Sequence, residues 1–230
     1  DMLALSSSGG TSALEADPSA GTEFTWTFTS GSSGDNAFEF LAKDETLELT
    51  YTVKVTDSSG ATSGEVTTDT STVVVTITGT NDAPVLDASA TPVVITLAED
   101  VADGDNVGTL VSALVGSAIT DVDASALEGI YITAVDNSNG RWEYSVNGGL
   151  NWSPFDFSGG NAGTGLLLAA DDVIRFVPNA DYNGNATINF GGWDQSAGSV
   201  GDYADISVKG GSSAFSTASD EASITVMAVV

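Results

Sequence analysis

Cysteine and histidine are both missing from this sequence. Their absence removes disulfides, thiolate and imidazole zinc sites, and every nucleophilic mechanism that uses either residue as nucleophile or base. Basic residues are nearly missing too: five Lys and Arg stand against 32 Asp and Glu, a net charge of −27 over 230 residues. Nucleic acid and anionic lipid are therefore poor partners, since neutralising a phosphate backbone requires Lys and Arg. No run approaches the roughly 20 apolar residues of a membrane span, so direct membrane insertion is not expected. Asp1-Met2-Leu3 lacks the basic and apolar regions of a signal peptide, and the last residues, Met227-Ala228-Val229-Val230, follow directly on a strand-like run. Both features lead us to expect a fragment of a longer chain.

What remains is a chain suited to hard cations. The acids are mostly Asp, set singly or in pairs between β-rich segments rather than in long charge runs, so the pattern is that of a folded protein whose repulsion is relieved by bound metal. With soft ligands gone, the expected ion is oxygen-ligated Ca²⁺, acting as the cross-link that a disulfide would otherwise supply.

The 41% hydrophobic content falls in short β-branched or alternating runs. Glu23 to Phe28, Leu47 to Val55, Thr72 to Ile77, Val93 to Leu97 and Gly129 to Val135 read as strands, as do 141–146, 172–177, 186–190, 204–208 and 222–228. Helical periodicity is confined to short candidates such as Val111 to Val115. Many short strands with Gly-rich turns predict an all-β fold of β-sandwich type. The boundary falls at Gly79-Thr80-Asn81-Asp82-Ala83-Pro84, where Pro84 stops a ladder from continuing. The expected organisation is two tandem sandwich domains, 1–80 and 85–230, joined by a linker at 81–84, the second domain enlarged by inserted loops. Each half closes with a strand, an Asp-led turn (Asp57 to Gly60, Asp194 to Gly198) and a Thr- or Ser-rich strand, a weak repeat that points to a tandem array.

At these residues the chain resembles the repeats of giant bacterial surface adhesins of the RTX type. The first domain is similar to a VCBS repeat through Phe40 to Leu47, Tyr51 to Asp57 and Thr76 to Pro84. The second resembles the cadherin-like modules of the same proteins through Arg175 to Gly184 and Ala214 to Asp220. The resemblance covers most of residues 20 to 230. It implies cadherin/immunoglobulin-like sandwiches that bind calcium outside the cell, some acting as stiff extenders and some as ligand binders in biofilm formation and cell adhesion.

Ca²⁺ takes six to eight oxygen ligands at roughly 2.3–2.6 Å, which strand ends at a domain junction can supply. The resemblance implies one junction site from Asn81 and Asp82 of the linker, Asp121 and Asp123 of an Asp-X-Asp turn, and Asp194 of the later Asp-led turn. Each of these acids, taken alone, is equally readable as a solvated turn residue. Glu99, Asp100, Asp103 and Asp105 form a second acidic cluster, either ligands at the far end of the second domain or a solvated loop. Asn179, Asp181 and Asn183 alternate before Gly184 in the manner of an EF-hand, but no Glu stands at the twelfth loop position, so a tight turn is the preferred reading.

Function is expected in the inserted loops, Ser158 to Gly165 and Gly191 to Gly211. Trp193, Asp194, Gln195, Asp202 and Tyr203 are the candidate ligand-binding residues, with a metal at the base of the site, although Trp142, Trp152 and Trp193 are each also readable as core aromatics. The expected activity is calcium-dependent attachment to a peptide or carbohydrate on another cell or surface, by a monomeric module flanked by neighbouring repeats. The alternative is a calcium-stiffened extender with no ligand of its own. Glu143 or paired Asp residues could imitate glycosidase carboxylates, but so many acids make such pairs common by chance, and the chain is not expected to be an enzyme.

Overall fold

The structure, a computed structural model, describes residues 3–7, 24–28, 37–57, 67–90, 92, 95–158, 161 and 163–229. The expected turn at 58–60, the start of the 93–97 strand, and residues 159, 160 and 162 of the glycine-rich loop lie outside the described residues. The chain divides into two compact units, Asp1–Phe40 and Leu41–Val230. In the first, β1 (Leu3–Ser7) pairs antiparallel with β2 (Phe24–Phe28), from Leu3 opposite Phe28 to Ser7 opposite Phe24.

The second unit opens with a long hairpin. β3 (Thr46–Asp57) and β4 (Thr67–Thr78) stay in unbroken antiparallel register from Thr46 opposite Thr78 to Asp57 opposite Thr67. The alternation read from the sequence puts the pairs Leu47–Ile77, Leu49–Val75 and Tyr51–Val73 on one face. At the hairpin base the Gly79 N–H donates to Glu45 O (2.8 Å) and the Asp44 N–H to Gly79 O (3.2 Å). A side chain at Gly79 would stand 2.2 Å from Leu41 O, so only glycine lets these two backbones cross. The boundary between the units falls inside the 1–80 stretch expected as one domain, because residues 79–83 tie this hairpin to the sheets that follow.

Those sheets are built from β5 (Val85–Leu86), β6 (Ile95–Ala98), β7 (Thr109–Leu110), the one helix among the described residues, α1 (Val111–Val115), β8 (Ile119–Thr120), β9 (Gly129–Val135), β10 (Gly140–Ser145), β11 (Ser153–Pro154), β12 (Thr164–Ala169), β13 (Val173–Pro178), β14 (Gly184–Trp193), β15 (Tyr203–Asp205) and β16 (Phe215–Met227). A six-stranded sheet runs β15-β12-β9-β14-β16-β6, and a four-stranded sheet runs β11-β10-β13-β7. All pairings in these two sheets are antiparallel except β16 with β6. The described chain is thus nearly all β.

The two sheets share one core. Ile130, Ile132, Leu166, Leu168, Ile188 and Phe190 of the larger meet Trp142, Ile174 and Phe176 of the smaller, in a sandwich-like arrangement. The larger sheet is also covered on its other face, where Tyr131, Leu167 and Trp193 pack with Ile206, Ala214 and Phe215. Burial on both faces is why Ile130-Tyr131-Ile132 and Leu166-Leu167-Leu168 are continuous apolar runs instead of alternating ones. The stretch read as a long 191–211 loop is therefore partly strand and partly cover. β14 continues to Trp193, and the segment after it returns across the sheet through β15.

Candidate metal centre

Three separate segments meet at the foot of the hairpin. Residues 81–82 leave β4 and cross the ends of the larger sheet, the 121–123 turn follows β8, and Asp194 directly follows β14. Asn81, Asp123 and Asp194 are buried, at 8%, 7% and 6% exposure, while Asp82 and Asp121 are half-buried. The Asp82 N–H donates to Asp123 Oδ2 (2.9 Å), and the Asp123 N–H donates to Asp121 Oδ1 (2.9 Å). Asp194 Oδ1 accepts from the Ser196 N–H (2.7 Å), and Asp194 Oδ2 accepts from Asn81 Nδ2 (2.8 Å).

The five groups expected from the sequence are thus brought together. Two further features were missed there: Glu45, whose charge reaches Asp123, and the Ser213 carbonyl. Neither carries a motif, and both arrive by long-range folding. Asn81 Nδ2 lies 2.8–3.2 Å from three oxygens, Asp82 O, Asp194 Oδ2 and Ser213 O, one more acceptor than it has protons. The environment is that of a small oxygen cage.

Two oxygens here lack partners altogether: Asp121 Oδ2 and Asp123 Oδ1 are buried with no hydrogen bond. Burial pushes both carboxyls above the ordinary carboxylate range. The neighbouring charges add to the rise: Asp123, Asp194 and Asp82 act on Asp121, and Asp82, Asp194 and Glu45 act on Asp123. An acid with an orphaned buried oxygen among like charges needs either a proton or a cation. The donor set, carboxylate, amide and carbonyl oxygens without nitrogen or sulfur, fits Ca²⁺. As the side chains stand, no group of three or more acids among the described residues is disposed to hold a metal ion. Several of the carboxylate oxygens are instead turned onto backbone N–H groups and the Asn81 amide.

Two open hollows flank the cluster. One, of about 490 Å³, is lined by Lys43, Thr80, Asn81, Asp205, Ser213 and Phe215 among others. The second, of about 300 Å³, shares Lys43 and Asn81 and adds Asp123, Ser125, Asp194 and Gln195. Of the candidate ligand-binding residues, Gln195 lines this hollow with a left-handed backbone (φ +65°), and its Nε2 donates to Glu128 O (2.8 Å). Trp193 is 1% exposed and donates its indole N–H to Ala197 O, so it packs the core and is not at a rim. Tyr203 is half-buried, its hydroxyl accepting from the Asp156 N–H and its ring set edge-on to Phe157. Asp202 is exposed, with its carbonyl accepting from the Leu167 N–H.

The second acidic group divides. Glu99 accepts from the Val229 N–H (2.9 Å), and Asp100 from the Asp181 N–H (3.1 Å), beside Asn183. Asp103 and Asp105 belong to another neighbourhood. The Asp103 carbonyl receives Arg175 Nη1, and Asp105 lines a cavity on the flank of the sandwich. Asp181, at φ +58°, lies in a turn before Gly184.

Compared with known proteins, the chain matches no protein-family model, no curated protein and no solved structure. No helix among the described residues is long and apolar enough to cross a membrane.

Proposed function

We propose that this chain is a calcium-dependent binding portion of a large bacterial surface adhesin, working outside the cell. In this reading residues 81–84 are a calcium-binding linker and 85–230 a cadherin-like sandwich whose inserted loops hold a peptide or carbohydrate of another surface, while the VCBS-like stretch, 1–80, is divided between the two compact units, Asp1–Phe40 and Leu41–Val230. One observation carries the reading: two buried, partnerless carboxylate oxygens, Asp121 Oδ2 and Asp123 Oδ1, stand among like charges where three chain segments meet.

Asp121, Asp123, Asp194, Asp82 and Asn81 would hold the ion. Bound calcium supplies the positive charge that lets Asp121 and Asp123 stay ionised. Asp123 joins the 121–123 turn to the linker backbone, Asp194 joins the end of β14 to Asn81, and together they fix the hairpin foot. Gln195 and Lys43, on the walls of the hollows beside the cluster, are placed to meet a ligand, and Lys43 is one of only five basic residues in the chain. The role is binding and not catalysis.

Metal binding to the native state raises stability by mass action, about 2.7 kcal/mol at a hundredfold excess over Kd. For a chain of this size that is a rise of about 5–10 °C in Tm. Coincident melting curves in EDTA and in millimolar Ca²⁺ would refute the metal. A glycan and peptide array probed with and without Ca²⁺ tests the ligand: calcium-dependent spots are expected, and uniformly blank arrays from folded protein would assign the chain as a calcium-stiffened extender.

A further inference from the structure

The hairpin of β3 and β4 is a two-stranded sheet, and no other described strand lies along the outer edge of β3. Two strands alone make a marginal sheet, and an unpaired edge is a template for a further strand. At the hairpin base the Gly79 N–H bonds to Glu45 O, in the same register that sets Thr46 opposite Thr78. By the alternation of an antiparallel ladder, Leu47, Leu49, Tyr51 and Val53 then spend their N–H and C=O groups on β4, and those of Thr46, Glu48, Thr50, Thr52 and Lys54 point away from it. The side chains of these last five residues are exposed, whereas Leu47, Leu49, Tyr51 and Val53 are half-buried.

Charge on an edge strand ordinarily turns a second strand away. On β3 the two edge charges, Glu48 and Lys54, are of opposite sign, and neither is matched: the ion pairs among the described residues are Arg141–Glu143 and Arg175–Glu143. An unmatched cation stands out where five Lys and Arg face 32 Asp and Glu. Glu48 and Lys54 also lie symmetrically, three residues to either side of Tyr51. Laid antiparallel against a second copy of itself about Tyr51, β3 sets Glu48 opposite the other Lys54, Lys54 opposite the other Glu48, Thr50 opposite Thr52, Leu49 opposite Val53 and Tyr51 opposite Tyr51. Opposite-charge, Thr–Thr and aromatic pairs are the kinds that stabilise facing strands. The half-buried apolar side chains stay on one face and the polar ones on the other, as register requires. Centring the pair on Glu48 or on Lys54 would put like charges face to face, and centring it on Thr50 or Thr52 would leave each charge opposite a threonine.

We propose that the outer edge of β3 is an interface between two copies of this chain, which join antiparallel about Tyr51 into a four-stranded sheet of order β4-β3-β3-β4. Charge complementarity selects the partner, because a reversed β3 carries both charges at the matching positions. It also fixes the register, through two symmetry-related Glu48–Lys54 pairs. The net charge of −27 on each copy opposes close approach, so the contact forms where counterions screen it. The metal cluster takes no part in this contact.

The test follows the 230-residue chain by sedimentation velocity from micromolar to near-millimolar concentration, in Ca²⁺ and physiological salt. A reversible monomer–dimer equilibrium is expected. Lys54→Glu and Glu48→Lys each turn both cross-copy pairs into like-charge pairs and should weaken dimerisation about tenfold or more. The double variant, Glu48→Lys with Lys54→Glu, exchanges the charges and should restore it. Glu48→Lys is the sharper single change, since it lowers the net negative charge and general repulsion would then favour association. Both positions are exposed and face Thr76 and Thr70 within the hairpin, so the variants should keep the wild-type Tm. A chain monomeric at every concentration, a double variant that stays monomeric, or a dimer indifferent to the single reversals would each overturn the proposal. The last is the result expected of pairing through β4, which has no ionisable side chain from Thr70 to Thr78.

Discussion

Asp123 is held where a lone carboxylate is least at ease, 7% exposed, with one oxygen bonded to the Asp82 N–H and the other bonded to nothing. Its pKa, like that of Asp121, is raised first by burial and then by neighbouring charge. Asp172, raised mainly by burial, acts in the same direction. A carboxyl whose folded pKa lies above its unfolded value takes up protons preferentially in the folded state, so stability grows as pH falls through that raised value. In EDTA the Tm should therefore rise on mild acidification from neutrality toward the ordinary carboxylate range. With Ca²⁺ present, protons compete with the ion, and the calcium-induced gain in Tm should shrink over the same window. Melting series in the two conditions check both signs, and a metal-free Tm that falls there would contradict the account. Asp123→Asn should flatten the metal-free slope and remove most of the calcium gain.

The same contrast between paired and unpaired charge governs an element, the 103–108 segment pinned to β13. Burial pushes Glu143 up, but hydrogen bonds and charges from Arg141 and Arg175 outweigh it and hold the carboxyl below its usual range. Arg175→Met leaves Glu143 buried with one largely exposed partner and unties the segment, so a loss of about 3–5 kcal/mol is expected. Arg141→Ala, whose side chain is 53% exposed, should cost under about 1 kcal/mol. Chemical denaturation of the two variants measures the contrast, and equal losses would refute it. Elements also show how far the sequence could be read. Alternation located β3 and β4, and the β-branched runs located β9, β10 and β13, because one side of each pattern is visibly polar or bounded by Gly, Asn and Asp. β12 was overlooked because Leu166-Leu167-Leu168 is buried on both faces and shows no period of two. β5, β7, β8 and β11 span two residues each, too short for any pattern. Asn81, Asp121, Asp123 and Asp194 were legible as a set only through the order of their motifs. Glu45 and Ser213 join them by contacts across the fold that no local spacing encodes.

Over the whole molecule, a net charge of −27 with five cations makes self-repulsion a standing cost of compactness. Two of those cations, Arg141 and Arg175, are committed to Glu143. Raising monovalent salt from low to physiological levels should therefore raise the metal-free Tm, since the Debye length shortens to about 8 Å. The rise should be smaller in Ca²⁺, where charge is already neutralised at the cluster. A Tm indifferent to salt in EDTA would show that the acids are spaced too widely to matter.

The parallel join of β6 to β16 has a mechanical meaning. Ile95 to Ala98 run alongside Ile224 to Met227, near the two ends of the portion that contains both sheets. Tension drawing those ends apart pulls the two strands along their own axes in opposite senses, so the bonds of this short ladder bear load together instead of parting one by one. Stretched singly in a force spectrometer, the sandwich should yield in one abrupt step. A proline in place of Thr225, midway along the register, should lower the rupture force.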